Sequence, residues 1–143
     1  LTEAAYSPEF NEIVESFAFL DDWEERYRYI IDLGRELPPL ADRHRVPANK
    51  VDGCVSQVWL APRIDEQNGI VRLFFDGDSD AHITRGLIAV LRALYSGRTL
   101  DEIRRIDVGV ALARLDLASH ISRQRSNGLQ AMVDRIHRLA AAA

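Results

Sequence analysis

Two runs rich in β-branched and aromatic residues, Val55 to Ala61 and Ile70 to Phe75, lie on either side of Glu66-Gln67-Asn68-Gly69. Such residues suit the pleated, half-buried surface of a sheet, and Asn-Gly accepts the positive φ angles of a two-residue hairpin turn. An antiparallel hairpin is therefore expected near the middle of the chain. Neither run alternates cleanly between apolar and polar residues, so helices are expected to cover parts of both faces.

The segments around the hairpin have helical spacing. Ser7-Pro8-Glu9 combines a capping hydroxyl, a proline suited to the first turn and an acid suited to the helix dipole. Phe10, Ile13, Val14 and Phe17 then recur on one face. After a break at Asp21-Asp22, a second helix carries Trp23, Tyr27, Ile30 and Ile31 and ends near Gly34. Leu37-Pro38-Pro39-Leu40 cannot continue it, and the stretch to about Lys50 reads as an irregular connection. Beyond the hairpin, Ser79 is read as the cap of a long helix with Ile83, Leu87, Val90, Leu91 and Leu94, stopped at Ser96-Gly97. Thr99-Leu100-Asp101-Glu102 is a capping box, a short helix is expected from about Val110 to Leu115, and Leu129, Met132, Val133 and Ile136 form the stripe of a last helix with a fraying Ala-rich end. Helices, hairpin, helices is the order of an α+β fold with a small antiparallel sheet packed on one side. Without internal repeats or a linker, the 143 residues are expected to form one domain over 1–143.

Composition removes several function classes. The chain is 47% hydrophobic and 28% charged, which is globular, and its net charge of −4 argues against a phosphate-binding, nucleic-acid surface. No apolar run approaches the ~20 residues that span a bilayer, and no basic start leads into a cleavable apolar segment. A single cysteine gives no sign of an oxidising compartment, so a cytoplasmic location is expected. Lys50 is the sole lysine, which reflects compositional bias towards arginine.

Several motifs fail on inspection. Asp76-Gly77-Asp78-Ser79-Asp80 opens like a calcium loop, but the sixth and twelfth positions, Ala81 and Leu87, are not the glycine and glutamate required. It is better read as a turn followed by a helix cap. The four histidines, His44, His82, His120 and His137, lack the close pairing of zinc ligands. There is no glycine-rich phosphate loop and no serine nucleophile elbow.

Cys54 is left as the residue with chemistry to offer. It follows Gly53 in Val51-Asp52-Gly53-Cys54-Val55-Ser56-Gln57-Val58-Trp59, and the glycine permits a sharp turn that lifts the thiol onto a loop edge. A buried structural thiol is the plain alternative. A cysteine hydrolase would need a nearby base, for which His120 is the candidate. The polar stretch from His120 to Leu129, with Arg123 and Arg125, is either a solvated helix cap or a cationic patch beside a thiolate or an acidic partner.

Three segments together resemble the SufE-type sulfur acceptors of iron–sulfur cluster assembly, including their CsdE-type relatives. They are Val51 to Trp59, the run Gly77-Asp78-Ser79-Asp80-Ala81 leading into Arg85-Gly86-Leu87-Ile88-Ala89-Val90, and Arg125-Ser126-Asn127-Gly128-Leu129 followed by Ala131-Met132. The resemblance extends from about Phe10 to Leu139. The departures are Arg123, where the family pattern has proline, and the Val110 to Leu115 segment, which lacks bulky aromatics found in some relatives. By this resemblance the fold is SufE- and IscU-like, a small antiparallel sheet with helices against it and the cysteine on a loop at its edge. Cys54 would accept persulfide sulfur from a pyridoxal-phosphate-dependent cysteine desulfurase of the SufS or CsdA type, stimulate that enzyme, and pass the sulfur to an iron–sulfur scaffold protein. Arg125 would steady the anionic sulfur or the partner, Asp80 would cap the long helix and hold the cysteine loop at rest, and Gln57 would bond in the same neighbourhood.

The thiol count agrees with a carrier. An iron–sulfur cluster typically takes four thiolates, whereas sulfur relay takes one, so the chain is expected to bind no metal and no pyridoxal phosphate of its own. A relay thiol must be reachable by the donor and its persulfide shielded between transfers, which points to apolar shielding by Trp59 and the last helix. The chain is thus expected to be an accessory protein and not an independent enzyme. A module that activates the desulfurase allosterically, with Cys54 incidental, is the alternative, and the oligomeric state is left open between monomer and homodimer.

Overall fold

Side-chain caps start most of the helices in the computed structural model, which describes residues 6–143. Ser7 accepts from the Phe10 N–H at the head of α1, Pro8–Phe19, and Asp22 accepts from Glu25 at the head of α2, Trp23–Arg35. The proline-rich connection that follows contains two short 3-10 turns, Asp42–His44 and Pro47–Asn49. Thr99 and Glu102 form the expected reciprocal capping box of α4, Leu100–Arg105. Asp107 caps α5, Val108–Ala113, which starts two residues before its predicted position, and Ser122 caps α6, Arg123–Ala142.

The sheet has three antiparallel strands in the order β1-β2-β3: Val58–Gln67, Ile70–Ser79 and the two-residue Arg98–Thr99. Gln67 pairs with Ile70, and Asn68 and Gly69, with φ of 52° and 78°, make the expected two-residue turn. The strand limits differ from those predicted. Val55 to Gln57 stay outside β1, while β2 runs on through Asp76-Gly77-Asp78-Ser79, the segment read as a turn. Alternation explains the extension: Leu73, Phe75, Gly77 and Ser79 are buried and the acids between them are not. The charges that suggested a turn are neutralised by arginines, Asp76 by Arg92 at 3.1 Å and Asp78 by Arg45 and Arg85 at 2.6 and 3.1 Å. Gly77 fits because α3 presses on the strand; a Cβ there would stand 2.8 Å from Ile88 Cγ2.

α3, His82–Tyr95, is the centre of the core. Leu87, Ile88, Val90, Leu91, Leu94 and Tyr95 are all essentially inaccessible, packed among α1, α2, α6 and the inner face of the hairpin. Its N-cap is Ala81, with no side-chain hydrogen bond, so neither Ser79 nor Asp80 caps it as the sequence suggested. Ser79 instead accepts from the Ala81 N–H at the end of β2. The architecture is α+β, one antiparallel sheet with helices packed against it, as the order of elements led us to expect.

Candidate functional site

The segment Val51 to Gln57 leaves the 3-10 turns and doubles back before entering β1. Its base is closed by the Val51 N–H donating to the Val58 carbonyl at 2.9 Å. Across from it, the Asp80 carboxylate accepts from the Gln57 N–H at 3.0 Å and the Asp80 N–H donates to the Gln57 carbonyl at 3.3 Å. On the other side the Arg135 guanidinium of α6 donates to the carbonyls of Lys50, at 3.1 Å, and Ala48. Val51 is buried and anchors the loop, whereas Val55 is 76% exposed at its edge. Strand pairing is thus given up for Val55 to Gln57 in favour of a loop pinned at its base.

Gly53 makes the turn, at φ +91°, a conformation that L side chains rarely adopt. The turn directs Cys54 inward, where its S–H donates to the Gly128 carbonyl of α6 at 3.6 Å. The approach is close enough that a Cβ at Gly128 would lie 3.4 Å from the sulfur, which leaves room for little more than a methyl group. The thiol is half-buried. Burial pushes its pKa up, and the carboxylate of Asp52 adds to the push. The resting sulfur is therefore held as a neutral thiol against a helix.

Beside the sulfur is a cavity of about 90 Å³. One water needs about 10–15 Å³, so an additional sulfur atom can be accommodated. Leu87, Leu129 and Met132 form apolar walls, and Ser56, Thr84, Ser122, Gln124 and Arg125 contribute polar groups. The Ser56 and Thr84 hydroxyls lie 3.5 Å apart. Such a space can hold a short polarizable appendage on Cys54 and offer hydrogen bonds to its end.

Of the residues singled out in the sequence, Cys54 and Arg125 line this cavity, and Gly53 makes the turn that leads into it. Arg125 is exposed at its rim, with its backbone N–H bound to the Ser122 cap. Gln57 and Asp80 meet each other at the loop base, and it is the backbone of Gln57 that bonds while its side chain is exposed. Trp59 does not line the cavity; Leu87, Leu129 and Met132 take the shielding place assigned to it. His120 does not line it either. Its ring stacks on Trp23 at 3.8 Å, so the geometry lends no base to a Cys54 hydrolase. Thr84 and Asp52 were not anticipated. The signal for Thr84 was a polar residue on the apolar face of the helix, three positions before Leu87.

Among the described residues no three His, Cys, Asp or Glu side chains converge as metal-ion ligands, and no helix is long and apolar enough to cross a membrane.

Comparison with known proteins supplies the context. The model of the SufE family, described as an Fe-S metabolism associated domain, matches residues 11–140. An uncharacterized SufE-like protein of Rhizobium etli is 48% identical over 136 residues, covering 94% of this chain and 90% of its own. Another, from Rhizobium meliloti, is 47% identical over 126 residues, covering 88% and 90%. The same fold occurs in the solution structure of a hypothetical protein from Thermus thermophilus, with a TM-score of 0.71 at 20% identity over 97% of this chain and 98% of that one. A match of this extent, on a chain whose cysteine loop, Asp-Ser-Asp-Ala segment and final arginine motif converge on one loop and cavity, establishes that the protein belongs to the SufE family, a family of iron–sulfur metabolism.

Proposed function

We propose that the protein is a cytoplasmic sulfur carrier, formed as one SufE-like domain over 1–143, that works beside a pyridoxal-phosphate-dependent cysteine desulfurase and delivers to an iron–sulfur scaffold protein. The observation that carries this reading is the setting of Cys54: a half-buried thiol on a loop that turns at Gly53, over a cavity with room for one more sulfur.

In the transfer, Cys54 loses its proton and its thiolate attacks the outer sulfur of the donor's cysteine persulfide. The donor's S–S bond breaks as the new one forms, and the donor cysteine leaves as a thiolate that takes up the proton. No net oxidation occurs. The carbon–sulfur cleavage that made the donor persulfide belongs to the partner's cofactor, so this chain acts as an accessory protein. After loading, the loop closes and the outer sulfur enters the cavity, where Ser56, Thr84 and Ser122 can donate to it and Leu87 and Met132 exclude solvent. Arg125 at the rim steadies the anion or the partner. Asp80, holding the Gln57 backbone, keeps the loop closed between transfers.

Mass spectrometry after incubation with a cysteine desulfurase and cysteine tests the proposal. One added sulfur on the peptide containing Cys54, absent in Cys54→Ser, is expected. Undiminished desulfurase stimulation by Cys54→Ser, with no sulfur on the wild type, would leave the allosteric-activator reading in its place.

A further inference from the structure

Val55 is the one apolar side chain of the cysteine loop that faces solvent. It is 76% exposed, yet it also borders the Cys54 cavity. Its neighbours alternate around it: Cys54 and Ser56 are half-buried and Val58 is buried, whereas Val55 and Gln57 are exposed. Successive side chains of an extended segment point to opposite faces. Half a turn of this segment about its own axis therefore brings Val55 inward as Cys54 and Ser56 turn outward.

The loop is built to allow that turn. Its backbone is held at its ends, where the Val51 N–H meets the Val58 carbonyl and Asp80 holds both the N–H and the carbonyl of Gln57. Between these points Gly53, at φ +91°, has no Cβ to restrict a change of φ. Two polar contacts hold the inward face, the Cys54 S–H on the Gly128 carbonyl at 3.6 Å and the Ser56 and Thr84 hydroxyls at 3.5 Å. A thiol is a weak donor, and an outward Ser56 exchanges one hydroxyl partner for water.

When the sulfur leaves, Leu87, Leu129 and Met132 lose the atoms they packed against. Val55 is the apolar group one residue away. An apolar cavity of roughly 150 Å³ admits benzene. The space here is about 90 Å³ before the vacated volume of the thiol is added, which suits an isopropyl group, half of benzene in carbon atoms. Burial of the valine offsets exposure of the thiol.

We infer that Val55 exchanges places with Cys54, entering the cavity as the thiol swings out and returning to solvent as the loop closes. The use of this exchange in loading rests on the sulfur-carrier reading. Val55 is then a positioning residue: it touches no reacting atom, and its burial sets how often the thiol is presented to the donor.

Val55→Ser and Val55→Ile test this at an exposed site, without a change of charge beside the thiol. Iodoacetamide alkylation of the free protein is measured, together with sulfur loading of Cys54 by sub-saturating cysteine desulfurase, read by mass spectrometry. Alkylation about tenfold slower in Val55→Ser is expected, since serine gains little in the cavity. Loading should slow in step, and Val55→Ile should match or exceed the wild type in both. A valine that only screens the thiol gives the opposite sign, faster alkylation in Val55→Ser, which overturns the exchange. Unchanged alkylation in Val55→Ser overturns it as well, and slower loading beside it assigns Val55 to contact with the partner. A wild type that takes up no sulfur, with alkylation still slowed in Val55→Ser, overturns the carrier reading and leaves the exchange standing.

Discussion

The Cys54 sulfur and the Gly128 carbonyl are 74 positions apart in sequence and 3.6 Å apart in space. This contact joins the cysteine loop to α6, and Gly128 leaves beside the sulfur a space that a methyl group would just fill and a branched side chain would overfill. A Cβ at 3.4 Å from the sulfur is an ordinary contact, so Gly128→Ala is expected to fold. It should gain up to about 1 kcal/mol of helix propensity, or about 2–4 °C in Tm. Gly128→Val adds branches that compete with the thiol and should push Cys54 outward. Losing about 1.4 kcal/mol of preference for the closed loop corresponds to tenfold faster alkylation. Equal alkylation rates in wild type and Gly128→Val would show that the glycine has no part in seating the sulfur.

The pH behaviour of the thiol has a definite sign. Burial first, and then Asp52, raises the pKa of Cys54 in the folded protein, which therefore binds this proton more tightly than the unfolded chain does. The stabilisation is fully present below the ordinary thiol pKa and is lost as pH rises through the raised folded value. Iodoacetamide alkylation of the native protein should accordingly rise at higher pH than that of an unstructured peptide with the same sequence. Asp52→Asn removes the smaller of the two causes and should move the profile part of the way back. A wild-type profile coincident with the peptide's would contradict this account.

Asp80 acts on the loop base through a backbone amide. Removing an acceptor at this exposed position should cost about 0.5–1.5 kcal/mol of local closure. In Asp80→Ala, hydrogen exchange of the Gln57 amide should accelerate by the corresponding factor of about 2–10. Asp80→Asn keeps a side-chain oxygen and should recover much of the protection. Exchange at Gln57 that is indifferent to both substitutions would remove Asp80 from the loop's closure.

Asp78 joins three parts of the chain, since it receives both Arg45 from the irregular connection and Arg85 from α3. Its side chain is 17% exposed, so the pairs are poorly replaced by water. Asp78→Ala leaves Arg85 without this carboxylate and Arg45 with Asp42 alone, and should destabilise by about 2–4 kcal/mol, read from the urea midpoint with the m-value unchanged. A change within about 0.5 kcal/mol, the usual range for a surface site, would show the cluster to be incidental.

The misread segments share a cause. Asp76 to Ser79 has the composition of a turn, and its neighbours contain nothing to say otherwise; its strand character depends on pairing with Val58 to Ala61 and on arginines supplied from elsewhere. Conversely, Val55 looks like strand but lies outside it, because the loop around Gly53 and the Asp80 contact place the start of β1 at Val58. Trp59 was a reasonable shield for the thiol by proximity along the chain. A strand residue two or more positions past a sharp turn need not face the turned residue, and α3 and α6 supply the walls instead.

Local chemistry was enough for the features that depend on neighbours in the chain: the Ser7 and Asp22 helix starts, the Thr99 capping box, the Asn68-Gly69 turn and the left-handed Gly53 beside a lone thiol. Each is a contest between conformations of a few consecutive residues, and the side chains themselves bias the result. The cavity beside Cys54, its pairing with Gly128 and the partnership of Asp80 with Gln57 come from packing between segments remote in sequence. Their distances are set by how closely α3, α6 and the hairpin approach, and that approach is an outcome of the whole core being filled at once.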